Sequence, residues 1–452
     1  MQRKTLFALS TGVVALSAAL ALLPGRFATT ELANAQAQRP EPASQSGGQA
    51  GFGKVETPAA PAGASEQVKR GEYLARMGDC VACHTVRGAK PFSGNYAIPS
   101  PFGTMYTPNL TPDKETGLGD WTADDFYRAM HEGKRKDGAF LYPAFPYTSY
   151  TKMPREDVDA IYAYLRTLPP IHNPQRKNDM PFPFNQRISL LGWNIMFFKK
   201  GEFKPDPSKS AEYNRGAYLV EGPGHCGMCH TPINPLGGST PSAKFSGGLI
   251  PIQNWFAPAL NSDKHYGLGD WSVEEVSDFL RHGVSNKGVA FGPMADVVHN
   301  STQYMTEADG RAMAVYLKAQ PVLKPTPKVM QYEVNDAFGE QLIKEGQTLY
   351  AANCAVCHAV DGKGKLPHFP PLAKNGSILM QSAVNPIKMI LHGGYPPVTK
   401  GNPQPYGMPP FGHVLNDREV AAVASYIRHA WGNNGEAVSP QQVSDLRTAP
   451  LD

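Results

Sequence analysis

The six cysteines of this 452-residue chain all fall into three short motifs of one form, Cys-x-x-Cys-His. Two thiols at this spacing can each form a thioether with a vinyl group of haem, and the adjacent histidine can then reach the iron. The sequence therefore predicts three covalently bound haem c groups, with each histidine as a proximal iron ligand. The motifs are Cys80-Val-Ala-Cys83-His84, Cys226-Gly-Met-Cys229-His230 and Cys354-Ala-Val-Cys357-His358.

Two other kinds of site use Cys-x-x-Cys pairs, namely redox dithiols and zinc sites. Three copies, each followed directly by histidine and with no cysteine left over, favour haem attachment over both. A disulfide framework is disfavoured as well, because it would not require a histidine after each pair.

A proximal histidine leaves one axial position on each iron, and methionine is the candidate there because His/Met ligation raises the reduction potential, as suits an electron carrier. Met408 lies between glycine and proline, which indicate a fixed loop rather than a packed helix face. For the second motif, Met294 is preferred to Met305, since Phe291-Gly-Pro-Met294 resembles the surroundings of Met408.

For the first motif the predicted sixth ligand is Met153, with Met105 as a fallback. Met153 aligns with Met305 rather than with Met294, however, and Phe145 lies nearer the Met294 position. The methionine ligand of the first motif is therefore the one that the repeat does not support.

The elements that must position these motifs also repeat. Gly71, Gly216 and Gly346 occupy the same place on a short helix before each motif, and each unit closes with another helix that carries an aromatic residue in its last turns. Because glycine lets two backbones approach closely, the first and closing helices are predicted to cross. The first two units also share Gly-Leu-Gly-Asp-Trp followed by a capping-box pattern, at Thr122 and at Ser272.

The predicted fold is all-α, with three tandem class I-like cytochrome c domains and long loops. The composition and the repeats place a signal peptide and a flexible linker before the domains and an apolar stretch between the first two. The predicted boundaries are residues 1–35 for the signal peptide, 36–65 for the linker, 66–175 for the first domain, 176–208 for the inter-domain segment, 209–325 for the second domain, 335–432 for the third domain and 433–452 for a polar tail.

The amino terminus is basic, then apolar from residue 6 to residue 23, and then rich in small residues, which is typical of a secretory signal peptide cleaved after Ala35 or Ala37. The alternative is an uncleaved anchor helix. Both interpretations place the folded part outside the cytoplasm, where haem is attached to such motifs. The net charge is +4, and about +2 without the first 35 residues, with no basic block, so no nucleic-acid partner is expected.

Residues 188–198 form an apolar stretch with Arg187 before it and Lys199 and Lys200 after it. This stretch is too short to span a bilayer. Its composition is consistent with a place in the membrane interface, with contact to a partner subunit, or with a buried helix between domains.

The chain resembles the triple-haem cytochrome c subunits of membrane-bound, quinone-reducing periplasmic dehydrogenases, which oxidise alcohols, gluconate, sorbitol, fructose or aldehydes in acetic acid bacteria and their relatives. Some relatives have methionine in place of Phe145, and relatives often have a membrane-binding segment near the carboxyl end, where this chain is polar. The resemblance covers nearly the whole chain after the signal peptide and rests on Gly71-Glu-Tyr-Leu74, Thr107-Pro-Asn-Leu-Thr-Pro-Asp113, Leu141-Tyr-Pro-Ala-Phe-Pro-Tyr147, Gly292-Pro-Met294 and Ser301-Thr-Gln-Tyr304.

The resemblance implies a partner, a location and an electron path. The catalytic flavin or pyrroloquinoline quinone would sit on a separate dehydrogenase subunit, and the cytochrome would pass electrons to ubiquinone or a terminal oxidase. It would do so in the periplasm, peripherally associated with the outer face of the cytoplasmic membrane. The resemblance also implies that His84, His230 and His358 are proximal ligands and that Met294 and Met408 are distal ligands.

Two functions therefore compete. The first is an electron-transfer subunit without a catalytic residue of its own. The second is a haem enzyme, of the peroxidase or thiosulfate-oxidising type, that uses one iron for catalysis. Catalysis at iron requires an open sixth position and nearby acid–base groups, so a methionine candidate in each unit favours the first function.

Overall fold

Short helices joined by long loops make up most of the chain in a computed structural model, which describes residues 55–251, 253–323 and 336–448. The predicted signal peptide and most of the predicted linker lie outside the described residues. The first segment, residues 66–175, contains one two-stranded antiparallel hairpin, in which Ala97 lies opposite Tyr106. Its elements are α1 (Glu66–Met77), α2 (Cys80–Cys83), β1 (Ala97–Ser100), β2 (Gly103–Tyr106), α3 (Ala123–Glu132), α4 (Tyr147–Tyr150) and α5 (Arg155–Leu165).

The apolar stretch and the second segment follow. A 3-10 turn (Arg187–Ser189) leads into α6 (Leu190–Phe197). The elements of the second segment are α7 (Ala211–Glu221), α8 (Gly227–His230), a 3-10 turn (Pro241–Ala243), β3 (Gly248–Ile250), β4 (Trp255–Ala257), α9 (Val273–His282), β5 (Val284–Ser285), β6 (Gly288–Val289), α10 (Pro293–Asn300), a 3-10 turn (Thr302–Tyr304) and α11 (Glu307–Lys318).

The third segment is helical throughout its named elements. These are α12 (Asp336–Asn353), α13 (Ala355–His358), α14 (Gly376–Leu379), α15 (Val384–His392), α16 (Asp417–His429), a 3-10 turn (Ala430–Gly432) and α17 (Pro440–Arg447). Together with the three small hairpins of the first two segments, this largely helical content agrees with the predicted all-α class.

The first and closing helices of each segment cross at a glycine, as predicted. A Cβ atom would lie 1.9 Å from the Ala160 carbonyl oxygen at Gly71, and 1.9 Å from the Ala312 carbonyl oxygen at Gly216. At Gly346 it would lie 2.0 Å from the carbonyl oxygen of Ala422. No side chain fits at such a distance, so α1 with α5, α7 with α11 and α12 with α16 depend on these glycines for their contact.

The middle helices of the first two segments begin as the sequence predicts. Thr122 and Ser272 each form a complete capping box, with Asp125 and Glu275 respectively, and these boxes start α3 and α9. The closing helix α16 begins with a third such box, which Asn416 starts and which the sequence analysis did not predict.

The buried apolar side chains of the described residues form one large cluster shared by the first two segments and a second large cluster within the third, and a small third cluster of Phe256, Met380 and Val384 lies between the second and third segments. Leu74, Phe92 and Tyr164 belong to the shared cluster together with Leu219 and Met313. In the third segment, α12, α15 and α16 contribute most of their own separate cluster. Three segments of similar construction therefore make two main apolar cores, with a small apolar contact between the second and third segments.

A reciprocal set of polar contacts joins the first two segments. Asp157, on the closing helix of the first segment, accepts hydrogen bonds from Arg70 of its own segment and from the Tyr218 hydroxyl of the second. Asp309 occupies the equivalent place in the second segment, where it accepts from Arg215 at 2.8 Å and from the Tyr73 hydroxyl of the first segment at 2.5 Å. Each segment thus provides one tyrosine to the other's aspartate, as in a pseudo-twofold pair.

Two parts of the chain are more ordered than the sequence predicts. The predicted flexible linker runs to residue 65, but the carbonyl oxygen of Thr57 accepts a hydrogen bond from Arg76, and that of Pro58 accepts from the Tyr164 hydroxyl. In the predicted polar tail, Val443 on α17 and Val438 just before that helix are both completely buried in the cluster of the third segment. None of the helices in the described residues is long and apolar enough to cross a membrane.

Candidate functional site

Each Cys-x-x-Cys-His motif forms a single helical turn directly after the first helix of its segment. The histidine amide donates to the carbonyl oxygen of the first cysteine of the motif, at 3.0 Å for His84, 3.1 Å for His230 and 3.0 Å for His358. None of the six cysteines forms a disulfide, so every thiol is available for a thioether bond. The helical turn brings the first cysteine and the histidine, four residues apart, onto one face.

One nitrogen of each motif histidine is fixed by the carbonyl oxygen of a proline. The Nδ1 atom lies 2.8 Å from the Pro108 oxygen for His84, 2.7 Å from the Pro258 oxygen for His230 and 3.0 Å from the Pro370 oxygen for His358. Because a carbonyl oxygen only accepts, Nδ1 must carry the proton and donate it. Nε2 is then the nitrogen with a free lone pair, which is what an iron ligand requires.

The surroundings also keep these imidazoles neutral. Burial lowers the pKa of His84 to about 4, although the hydrogen bond to Pro108 acts in the opposite direction. Burial likewise lowers the pKa of His230 and of His358. A neutral imidazole is the form that binds a metal, so the protein presents each histidine ready for ligation at neutral pH.

A glycine in each segment holds the loop that carries the proline. The amide of Gly94 donates to the His84 carbonyl oxygen at 2.8 Å, Gly247 does the same to His230 at 3.0 Å, and Gly364 does so to His358 at 3.0 Å. All three glycines have a positive φ, +80°, +81° and +66° in that order, a conformation that other residues rarely adopt. Each motif histidine is therefore held by two hydrogen bonds, one at its backbone carbonyl oxygen and one at its ring nitrogen Nδ1.

Sequence reasoning missed the proline carbonyls as functional groups. A signal was present, because each proline stands two residues before a leucine, at Leu110, Leu260 and Leu372. The first of these prolines lies in the stretch Thr107-Pro-Asn-Leu-Thr-Pro-Asp113, which carries part of the family resemblance but to which no role was assigned. The three prolines are the parts of the site that set the tautomer of the histidine.

The structure places Met408 on a loop and Met294 in the first turn of a helix. The backbone of Met408 pairs in both directions with Gly394, at 2.8 and 3.0 Å, and its half-buried side chain packs against the third-segment cluster. Met294 is the second residue of α10, and its half-buried side chain packs against the shared cluster. Both methionine side chains therefore contact an apolar cluster but are only partly buried.

Met153, the candidate for the first motif, has different surroundings. It is completely buried and lies directly before Pro154, the residue that caps the closing helix α5. Met305 lies directly before the cap of α11 and is also buried. Leu415 occupies the same place before the cap of α16. The alignment of Met153 with Met305 thus extends to a leucine in the third segment.

The first and second motifs begin next to each other inside the protein. The ring of His225, the residue before Cys226, has its Nε2 atom 3.3 Å from the Gly78 carbonyl oxygen, two residues before Cys80. The Tyr150 hydroxyl donates to the same oxygen at 3.0 Å. Any cofactors attached to these two motifs would start from a common region of the interface between segments.

The donor groups fit covalently attached haem better than a protein-only metal site. Within the described residues, no group of three or more His, Cys, Asp or Glu side chains is arranged to hold a metal ion. A porphyrin supplies four nitrogens itself, so one neutral imidazole, two unpaired thiols and a thioether are sufficient. A zinc site needs about four protein ligands.

Comparison with known proteins agrees with this chemistry. The family model for cytochrome c matches residues 68–169 and 343–431, which include the first and third motifs. The cytochrome c subunit of alcohol dehydrogenase (quinone) from Gluconacetobacter polyoxogenes is 38% identical, over 88% of this chain and 87% of that protein.

Two further relatives are cytochrome subunits of other dehydrogenases. The cytochrome c subunit of gluconate 2-dehydrogenase from Pantoea cypripedii is 39% identical, over 84% of this chain and 89% of its own length. The cytochrome subunit of fructose dehydrogenase from Gluconobacter japonicus is 36% identical, over 84% of this chain and 82% of its own length. The chain is therefore an electron-transfer cytochrome with covalently bound haem c, and it belongs to the family of the cytochrome c subunits of alcohol, gluconate and fructose dehydrogenases.

Proposed function

We propose that this protein is a triple-haem electron-transfer subunit, with one haem c on each motif of three cytochrome c domains. The observation that carries the proposal is the threefold arrangement of histidine, proline carbonyl and glycine amide. The same three contacts recur at His84, His230 and His358, although residues 209–325 lie outside the regions that the family model matches. A shared geometry at all three motifs supports a shared cofactor.

A bound haem iron supplies a one-electron couple, and the residues of the chain determine where and how that couple is held. The cysteines fix each haem through thioethers, and the prolines keep each histidine in the ligating tautomer. The first cysteine of each motif packs against an apolar cluster, Cys80 and Cys226 against the shared one and Cys354 against that of the third segment. For the sixth position, Met294 and Met408 are the proposed thioether ligands, and Met153 is the candidate from sequence for the first motif.

The electron donor is proposed to be a separate dehydrogenase subunit that carries flavin or pyrroloquinoline quinone. The named relatives are cytochrome subunits of alcohol, gluconate and fructose dehydrogenases, and this supports a catalytic dehydrogenase partner. The proposed acceptor is ubiquinone or a terminal oxidase, in the periplasm at the outer face of the cytoplasmic membrane. The alternative function, a haem enzyme that uses one iron, would require an open iron and substrate turnover without a partner.

The haem count tests this proposal directly. A pyridine haemochrome assay on denatured protein is expected to give three c-type haems per chain, and replacing both Cys226 and Cys229 by serine is expected to give two. Two haems in the unaltered protein, or haem that extracts into acidified solvent, would contradict the proposal. Peroxide turnover by the purified chain alone would favour the haem enzyme.

A further inference from the structure

The first segment has phenylalanine where the second has its proposed methionine ligand. The Gly133 carbonyl oxygen, at the end of α3, accepts from the amide of Leu141 at 2.7 Å, and the Gly283 carbonyl oxygen, at the end of α9, accepts from the amide of Ala290 at 2.8 Å. Four residues beyond these amides lie Phe145 and Met294. The two segments are therefore in the same register at this point, and Phe145 takes the place of the thioether.

The four methionines of residues 66–175 do not repeat this position. The position of each methionine can be matched between segments by its distance from a repeated structural residue. In at least one other segment, the matching position holds a residue that cannot bind iron. Met153 corresponds to Leu415 before the closing helix, and Met130 corresponds to Leu280 and Ile390, three residues before the glycine that ends α3, α9 and α15. Both positions are buried in the apolar clusters in every segment.

The other two methionines follow the same rule. Met77, six residues beyond the crossing glycine, corresponds to Gly222 and Ala352. Met105, three residues before the repeated proline, corresponds to Trp255 and Pro367. All four methionine positions thus belong to the scaffold of the segment rather than to its ligand loop.

The aromatic ring next to Phe145, that of Tyr150, offers no substitute. The Phe145 side chain is half-buried, packs against the shared cluster and lies 5.4 Å from the ring of Tyr150, centroid to centroid. The Tyr150 hydroxyl already donates to the Gly78 carbonyl oxygen, and burial raises the pKa of Tyr150, so that it stays protonated. A phenyl ring has no lone pair to give to iron.

We propose that the iron bound by His84 has no side-chain ligand opposite the histidine and binds small external ligands there, of the class of carbon monoxide, nitric oxide and cyanide. The irons at His230 and His358 are closed by Met294 and Met408. This inference rests on the proposed function, since it requires haem at all three motifs. Binding of carbon monoxide involves donation of its carbon lone pair to ferrous iron, without oxidation or reduction of either partner.

The experiment adds carbon monoxide to the dithionite-reduced protein at neutral pH and records the difference spectrum. About one third of the haem is expected to bind. Phe145→Met is expected to abolish this binding and to add a sulfur-to-iron absorption band in the oxidised protein. Phe126→Met, in the same segment but on α3, is the matched control and is expected to leave carbon monoxide binding unchanged.

Two results would overturn the inference. One is the absence of carbon monoxide binding in the unaltered protein at full haem content. The other is new carbon monoxide binding in Met153→Leu or Met105→Leu, which would identify that residue as the ligand. The haemochrome assay on the same samples separates the proposals, because loss of haem from the first motif contradicts the proposed function, whereas full haem content without binding contradicts only the open iron.

Discussion

At the scale of single residues, the site depends on backbone groups as much as on side chains. Gly364 donates its amide to His358, and its missing side chain leaves room for the loop that presents the Pro370 carbonyl oxygen. The proline oxygen in turn fixes the proton on Nδ1 of His358. A residue without a side chain therefore helps to orient the histidine that is the proposed iron ligand.

Gly364→Ala is expected to disturb the third motif. The new Cβ atom would lie 2.3 Å from the Phe369 carbonyl oxygen and 2.6 Å from the Pro370 carbonyl oxygen, so the loop must move away from His358. Because of this clash and the positive φ at residue 364, the variant is expected to lose about 1–3 kcal/mol of folding free energy. Chemical unfolding measures that loss, and a redox titration is expected to show a changed potential for one haem only.

Gly88→Ala is the control for this change. Gly88 has a similar φ of +79°, but nothing lies within 4 Å of the position of its Cβ atom. It therefore reports the cost of the backbone conformation without the clash. Equal losses of stability in the two variants, with unchanged potentials in both, would mean that close approach to the proline loop does not matter.

The parts of the site that the sequence predicts are those whose chemistry constrains neighbouring residues. Thioether attachment demands a fixed spacing of cysteine and histidine, and the three motifs can be found without any structure. The proline carbonyl oxygens could not be found in this way, because they lie 24, 28 and 12 residues from their histidines. Every residue has a carbonyl oxygen, so only the fold shows which one is used.

At the scale of elements, the two sides of α6 differ. One side is held by the protein, since Asn194 accepts from the Tyr147 hydroxyl at 2.7 Å and Trp193 donates to the Leu236 carbonyl oxygen at 3.0 Å. The other side is exposed, with Leu191 43% and Ile195 75% accessible. Composition could not separate these faces, because the helix is apolar almost all the way around.

Ile195→Glu is expected to weaken attachment to the membrane or to the partner subunit. Burial of one isoleucine side chain is worth about 2 kcal/mol, and a carboxylate at the same place would add a desolvation cost. The measurement is the fraction of the protein that sediments with membranes, together with its haem spectrum. Because Ile195 is exposed, the spectrum is expected to stay unchanged.

Val322→Glu is the matched control, since Val322 is also exposed, at 55%, and lies outside the apolar stretch. It is expected to sediment like the unaltered protein. Unchanged sedimentation of Ile195→Glu would show that the attachment surface lies elsewhere. Loss of haem spectra in that variant would show that the exposed face has a structural role instead.

At the scale of the whole molecule, the first two segments behave as a pair. Their sequences predict the helices that carry Tyr73 and Tyr218, but the aspartates that these tyrosines reach are on the other segment, 236 and 61 residues away. A repeat in the sequence shows that units are alike and does not show which of them share a core. The shared cluster and the reciprocal tyrosine contacts supply that information.

Glu221, the last residue of α7, lies at the contact between the first two segments. It forms an ion pair with Lys152 of the first segment and another with Lys244 of its own segment, at 2.5 Å. Burial opposes ionisation of the carboxyl group, but the two ammonium groups outweigh it and lower the pKa of Glu221 to about 2. Arg76 is the residue of the first segment that corresponds to Glu221. Its Cζ atom lies 4.1 Å from the centroid of the Tyr304 ring in the second segment.

Glu221→Gln is expected to destabilise the protein in a pH-dependent way. The pKa of Glu221 is lower in the folded protein than its ordinary value of 4.5, so its contribution is complete above about pH 4.5 and is lost as the pH falls towards 2. The shift corresponds to about 3 kcal/mol at neutral pH. The free energies of unfolding of Glu221→Gln and of the unaltered protein, measured from pH 7 to pH 2, are therefore expected to converge at the acid end.

Glu345→Gln is the control variant. It removes an exposed ion pair with Arg418 in the third segment and is expected to have a smaller effect on the free energy of unfolding. The difference in free energy of unfolding between Glu221→Gln and the unaltered protein could instead stay constant from pH 7 to pH 2. That result would mean that the contact between the first two segments depends on packing rather than on the charge of Glu221.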